Sequence, residues 1–268
     1  MSSEHLLSLG SGPPLVFIGG LHGHHEFQRP IVERLRHDFR VLCPSLPGDC
    51  PTRISDLESA EAVAGELLER LAATGLETFS LCGISMGGLI ALQMALLAPR
   101  RVSRLGVIQS FAEYNFLHPR LKQVYDFFTR NRWDRTGTFV SRSALLALTI
   151  RDLVIDEPSR PQVREYWERF KRYGSPGRLI TVRLKMVRKA SLLDRLSELS
   201  MPLLLVAAER DVLVQPSHLS EIAKRTPQSQ LVMIPASGHL FPFFHPERLA
   251  EVIVPFFKHE LQSTNYTN

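Results

Sequence analysis

Cysteine is scarce in this chain. The 268 residues hold three, Cys43, Cys50 and Cys82, an odd number without a C-x-x-C pair, which excludes a disulfide framework and points to ordinary thiols in a reducing compartment. The first ten residues lack the basic start and apolar stretch of a secretory signal, so the cytoplasm is the expected location. Low-complexity tracts and internal repeats are also missing. With aromatics at 8% and charged residues at 22%, a disordered or fibrous class is excluded. The only run that invites a membrane reading is the uncharged stretch from Leu81 to Ala98, long enough as a helix almost to cross a bilayer. Gly83, Ser85, Gly87, Gly88 and Gln93 interrupt it. It reads instead as a strand end, a turn and a helix buried beneath a sheet, and no membrane span is expected.

What is present is apolar residue in short, regularly placed runs. At 44% apolar content, a chain of this length can bury one large core, with room for an inserted subdomain. Strand-like runs recur at Leu15–Ile18, Arg40–Cys43, Thr78–Leu81, Leu105–Ile108, Leu203–Ala207 and Leu231–Ile234, mostly separated by helical patterns. That alternation predicts an α/β fold, a mainly parallel sheet flanked by helices on both faces. From Leu57 to Ala73 the helical period is explicit, with Leu57, Ala60, Ala64, Leu67, Leu68 and Leu71 on one face.

The alternation stops between Phe111 and Arg195, where helical patterns follow one another, broken near Glu157–Pro161 and Gly174–Gly177. The expected organisation is a sheet-bearing core from residues 1–110 and 196–268 with an α-helical cap at 111–195. The inserted segment carries 18 of the 32 Lys and Arg but 9 of the 27 Asp and Glu, so it nets +9 while the rest of the chain nets −4. Such a face is either a solvated helical surface or a platform for an acidic partner. No nucleic-acid motif accompanies it, and nucleic acid is not an expected partner.

Gly83-Ile84-Ser85-Met86-Gly87 matches G-x-S-x-G at a strand-to-helix turn, where the serine hydroxyl is exposed and the tight turn leaves no room for side chains at the glycines. A serine hydroxyl needs a base to remove its proton, and the base needs a carboxylate to orient it. Asp211, just past the strand-like run Leu203–Ala207, is the expected acid, with Glu209 its rival. His239, in the loop Pro235-Ala236-Ser237-Gly238-His239, is the expected base, while His245, ahead of Pro246, reads as structural. Open parallel sheets place functional groups at this edge. The oxyanion donors are expected to be the backbone N–H groups of Met86 and of Leu21, within Gly19-Gly20-Leu21-His22-Gly23; a second His-Gly pair leaves that register open. His22, His24, His25 and Glu26 could hold a metal, but they crowd one loop and lack the spaced partners of usual sites, so none is expected.

As a set, these residues resemble the α/β-hydrolase superfamily from Pro14 to about Phe257. Pro14 to Gly20 looks like the family's strand leading to His-Gly, Leu46-Pro47-Gly48 like its D-L-P-G loop, Gly83–Gly88 like its elbow, and Gly238-His239 like its histidine loop. Gly19 stands where the family usually has histidine and Ser45 where it usually has aspartate. The resemblance implies a serine hydrolase without a cofactor, cleaving a small-molecule ester or thioester through an acyl-serine. Serine at position 85 disfavours the dehalogenase and epoxide hydrolase branches, which attack through a carboxylate. The resemblance also implies that a basic cap can meet an acidic acyl carrier. A non-catalytic receptor or an acyltransferase on the same fold is the alternative. Phe111, Tyr114, Phe116, Trp133 and Phe139 are candidates either for an acyl pocket or for the inserted segment's own core.

Overall fold

The structure is a computed structural model that describes residues 5–50, 57, 59–114 and 155–258. Seven strands form one sheet: β1 (Leu6–Leu9), β2 (Pro14–Ile18), β3 (Arg40–Pro44), β4 (Phe79–Ile84), β5 (Val102–Ile108), β6 (Leu203–Ala208) and β7 (Ser229–Ile234). Their order is β1-β3-β2-β4-β5-β6-β7, with β1 antiparallel to β3 and every other pair parallel. Strand β1 is an element the sequence pattern misses, because Leu6-Leu7-Ser8-Leu9 is a four-residue edge piece. Strand β5 begins earlier than its apolar run, since Val102 and Arg104 already pair with Phe79 and Ser80 of β4 although Ser103 between them is exposed.

Side chains alternate between the two faces of a strand, and the core follows that period. Val16, Ile18, Leu81, Leu105, Val107, Leu203 and Leu205 point to one side, where they meet helices α2 (Ala60–Ala72) and α3 (Met86–Leu97). Leu15, Phe17, Cys82, Ile108, Leu204 and Val206 point to the other, against α1 (Arg29–Leu35) and a C-terminal helix, Pro246–Phe257. Ser59 caps α2 by accepting the Ala62 amide at 3.1 Å, so that helix starts three residues later than its apolar stripe suggests. Helix α3 is buried on nearly every side, which accounts for its lack of charge. No helix among the described residues is long and apolar enough to cross a membrane.

Between β5 and β6 lie α4 (Arg160–Tyr173) and α5 (Gly177–Arg188). The chain leaves the sheet and returns to it side by side: Glu113 and Ser191 form an antiparallel bridge, and the Leu192 amide donates to the Ala112 carbonyl at 2.8 Å. Helix α6 (Pro216–Arg225) follows β6, and the short α7 (Phe241–Phe244) precedes α8, the C-terminal helix already described.

The strand order fixes where a site can form. The chain passes from β2 outward to β3, then returns to place β4 on the opposite side of β2. Connections on either side of that switch run to opposite faces, which opens a crevice beyond the carboxyl ends of β2 and β4.

Candidate active site

Ser85 lies immediately past β4 at that crevice, with φ 55° and ψ −125°. A positive φ is uncommon for a residue with a Cβ, and it persists only where the surroundings enforce it. Here they do. A Cβ on Gly83 would be driven into the Gly87 carbonyl, and a Cβ on Gly87 into the carbonyl oxygens of Ile18 and Gly19. The turn is thus wedged between its own helix and the end of β2. The Ser85 amide donates to the Ile108 carbonyl at 2.9 Å, and the Ser110 hydroxyl donates to the Ser85 carbonyl at 2.6 Å.

Three side chains from three strand ends meet in line. His239 Nε2 is 3.0 Å from Ser85 Oγ, and His239 Nδ1 is 2.7 Å from Asp211 Oδ2. Asp211 is held rigidly: its Oδ1 accepts the amides of Leu213 at 2.8 Å and Val214 at 2.9 Å. Gln109 adds a further bond to Oδ2, from Nε2 at 3.2 Å, and donates to the Gly238 carbonyl at 2.8 Å. Glu209, the rival acid, instead accepts the Ala236 amide at 2.7 Å and secures the turn ahead of the histidine. His245 bonds the Asp156 carbonyl through Nε2 at 2.7 Å, as a structural residue would.

Leu21 follows β2 and Met86 opens α3, so both amides lie on the two sides of the switch point. The first amides of a helix have no acceptor within it, which leaves the Met86 N–H available. The Leu21 amide donates no hydrogen bond among the described residues. A Cβ on Gly20 would lie in ordinary contact with the nucleophile candidate, 3.4 Å from Ser85 Cβ.

The two departures from the family pattern are filled by neighbours. The Gln28 side chain occupies the space a side chain at Gly19 would need, and its Nε2 donates to the His22 carbonyl at 3.4 Å. The His22 ring packs against Phe27 and Phe170, and its Nδ1 accepts the Ser175 amide at 3.2 Å. Ser45 Oγ accepts the His25 amide at 3.2 Å and lies 2.8 Å from His25 Nδ1. Burial, then the adjacent His24, pulls the His25 pKa down to about 4, so that ring is neutral above mildly acidic pH. No grouping of three or more metal-ligating side chains occurs among the described residues.

Sequence reasoning missed three residues that support this geometry. Gln109 has φ 44° and follows β5; a strained backbone of this kind is a signal that only the structure carries. Asp156 accepts the Gly238 amide at 2.7 Å, while its Oδ2 has no hydrogen-bond partner among the described residues; burial raises its pKa, with the Gly238 amide opposing. Arg183 is the third, and its one sequence signal is an arginine at helical spacing among Leu179, Ile180, Met186 and Val187. Cys43 and Cys82 are fully buried, which pushes their thiols up and leaves them poor nucleophiles. Of the pocket candidates, Phe111 is buried in the core and Tyr114 packs against it. Phe116, Trp133 and Phe139 lie outside the described residues.

A sequence profile of the alpha/beta hydrolase fold matches residues 13–246. The chain belongs to the alpha/beta hydrolase fold family and is a hydrolase. It is 26% identical over 264 residues to the pimeloyl-[acyl-carrier protein] methyl ester esterase of Nitrosomonas europaea, covering 92% of this chain and 97% of that protein. Among solved structures it is similar to a thermophilic esterase from Thermogutta terrifontis, with 25% identity, a TM-score of 0.75 and coverage of 95% and 92% of the two chains. It also shares the fold of MenH from S. aureus, at 20% identity, TM-score 0.78 and coverage of 97% and 99%.

Proposed function

We propose that the chain hydrolyses a carboxylic ester or thioester through an acyl-Ser85 intermediate, with His239 as base, Asp211 as its orienting acid and the Leu21 and Met86 amides as oxyanion donors. The observation that carries this reading is the unbroken hydrogen-bonded line from Asp211 through His239 to a serine held in a strained turn. Ser85 Oγ bonds the substrate carbonyl carbon as its proton passes to His239 Nε2, and the carbonyl electron pair moves onto oxygen. Each donor to that oxygen stabilises the transition state by about 3 kcal/mol. The leaving alcohol or thiol departs with the proton from His239, and water repeats the sequence to release the acid. Asp211 holds Nδ1–H, so Nε2 is the nitrogen that faces the serine. Residues 1–110 and 196–268 act as the core and 111–195 as the cap. The experiment is labelling with a fluorophosphonate: the protein labels at Ser85, and Ser85→Ala abolishes it. An unlabelled wild-type protein would leave the receptor reading standing.

A second reading concerns the substrate's carrier. Arg160, Arg164, Arg172, Arg178, Lys185 and Arg188 are exposed on α4 and α5, and the Nitrosomonas relative is an esterase of an acyl-carrier-protein ester. These favour an acyl group presented on an acidic carrier protein or on CoA. The three cysteines form no disulfide with one another, which favours a reducing compartment, the cytoplasm.

A further inference from the structure

Helix α5 sends one guanidinium into the protein. Arg183 stands on the apolar stripe of α5, its side chain 3% exposed, and faces Asp49, whose side chain is 6% exposed, at 2.7 Å. Burial lowers the Arg183 pKa and the Asp49 carboxylate raises it. A guanidinium carries five N–H donors and no acceptor, and here they serve three segments at once. Nη1 donates to the Leu21 carbonyl at 2.8 Å and to Ser175 Oγ at 2.8 Å. Nη2 donates to the Pro47 carbonyl at 3.0 Å. Ser175 Oγ in turn donates to the Asp49 carboxylate at 3.0 Å. The Leu46 amide, donating to the Gly23 carbonyl at 2.8 Å, ties the same two loops together.

A buried ion pair is seldom more stabilising than apolar side chains of the same volume, so its presence calls for a role beyond stability. We propose that Arg183 is a positioning residue for the oxyanion donor at Leu21. The peptide that carries the Leu21 N–H lies between two anchors. On one side the Gly19 carbonyl abuts Gly87, where any Cβ would fall 2.3 Å from that oxygen; on the other the Leu21 carbonyl is bonded to Arg183. With both ends fixed, the amide cannot swing away from the developing charge. Helix α5 thereby sets how well the transition state is held, as well as roofing the Leu46-Pro47-Gly48 loop through Leu179, which would meet any Cβ on Gly48. This inference rests on Leu21 acting as an oxyanion donor.

The test is Arg183→Lys, whose single ammonium can pair with Asp49 but cannot serve Leu21, Ser175 and Pro47 together. The double variant Arg183→Met/Asp49→Asn, which removes both charges, accompanies it. The readouts are kcat and KM for a p-nitrophenyl ester and affinity for phenylboronic acid. That probe forms a bond from Ser85 Oγ to boron as the proton passes to His239, giving a four-coordinate anionic adduct that mimics the tetrahedral intermediate. We expect kcat to fall about 10²-fold in both variants, in keeping with the loss of one misaligned donor. KM should stay within about twofold, and boronate affinity should fall by the same factor as kcat. Folded variants with unchanged kcat and boronate affinity overturn the inference. If both charge variants fail to fold, Ser175→Ala, which keeps both charges and loosens Arg183, decides: matched losses of severalfold in kcat and boronate affinity support the role, and no change in either overturns it. Failure of the serine-hydrolase reading looks different, because the wild-type protein would then not label at Ser85.

Discussion

Gln109 Nε2 bonds Asp211 Oδ2 at 3.2 Å and the carbonyl of Gly238, the residue before His239, at 2.8 Å. One side chain at the end of β5 thus couples the carboxylate loop after β6 to the histidine loop after β7. It does so from a left-handed backbone, with φ 44° and with Oε1 lacking a partner among the described residues. The strain and the orphaned oxygen are tolerated where they align two other groups.

Gln109→Ala is therefore expected to lower kcat about tenfold while destabilising the fold by about 1–2 kcal/mol, the scale of a lost buried hydrogen bond. Steady-state kinetics beside urea unfolding separates the two effects. A variant that loses stability but keeps its kcat would show that Gln109 only packs.

Ser85→Ala and His239→Ala should each lower kcat by about 10⁴-fold or more, and combining them should add little, because nucleophile and base act as a unit. Circular dichroism should be unchanged. Near-wild-type turnover in either single variant contradicts the assignment.

Asp156 gives a pH signature. Its folded-state pKa lies above the ordinary carboxylate value because burial disfavours its charge, with His245, Arg248, His239 and the Gly238 amide opposing. A raised carboxylate binds its proton more tightly in the folded state, so stability from this group is present at low pH and lost as pH rises past the ordinary value. Asp156→Asn keeps an acceptor for the Gly238 amide and removes the titration. Its melting temperature should exceed that of the wild type at neutral pH, with the gap closing below about pH 4. A gap that does not vary with pH would refute this.

The exposed arginines of α4 and α5 predict a salt effect. Arg164→Glu with Arg172→Glu should raise KM for an ester carried on acidic acyl carrier protein by roughly tenfold at low ionic strength. In about 0.5 M salt, where the screening length is only a few ångströms, the difference should disappear. A small p-nitrophenyl ester should not respond in either condition. Equal KM values for the carrier-bound ester count against a carrier docked on this face.

The residue pattern alone determined the α/β alternation, the elbow around Ser85 and the strand ends that carry Asp211 and His239. These are local matters: a two-residue period, glycines flanking a serine, and polar residues just past apolar runs. Tertiary structure decided everything that depends on a partner distant in the chain. Strand β1 exists because β3 offers it an edge, and its own four residues are too few to announce it. Spacing favours Asp211 over Glu209 without excluding the rival, and only the path of the loop gives one to Ala236 and the other to His239. Gln28 fills the place beside Gly19, and Arg183 reaches Leu21 across 162 residues of sequence. A short-range pattern specifies which face of an element is apolar; which polar groups then meet is set by how the elements cross, and that is a property of the packed molecule.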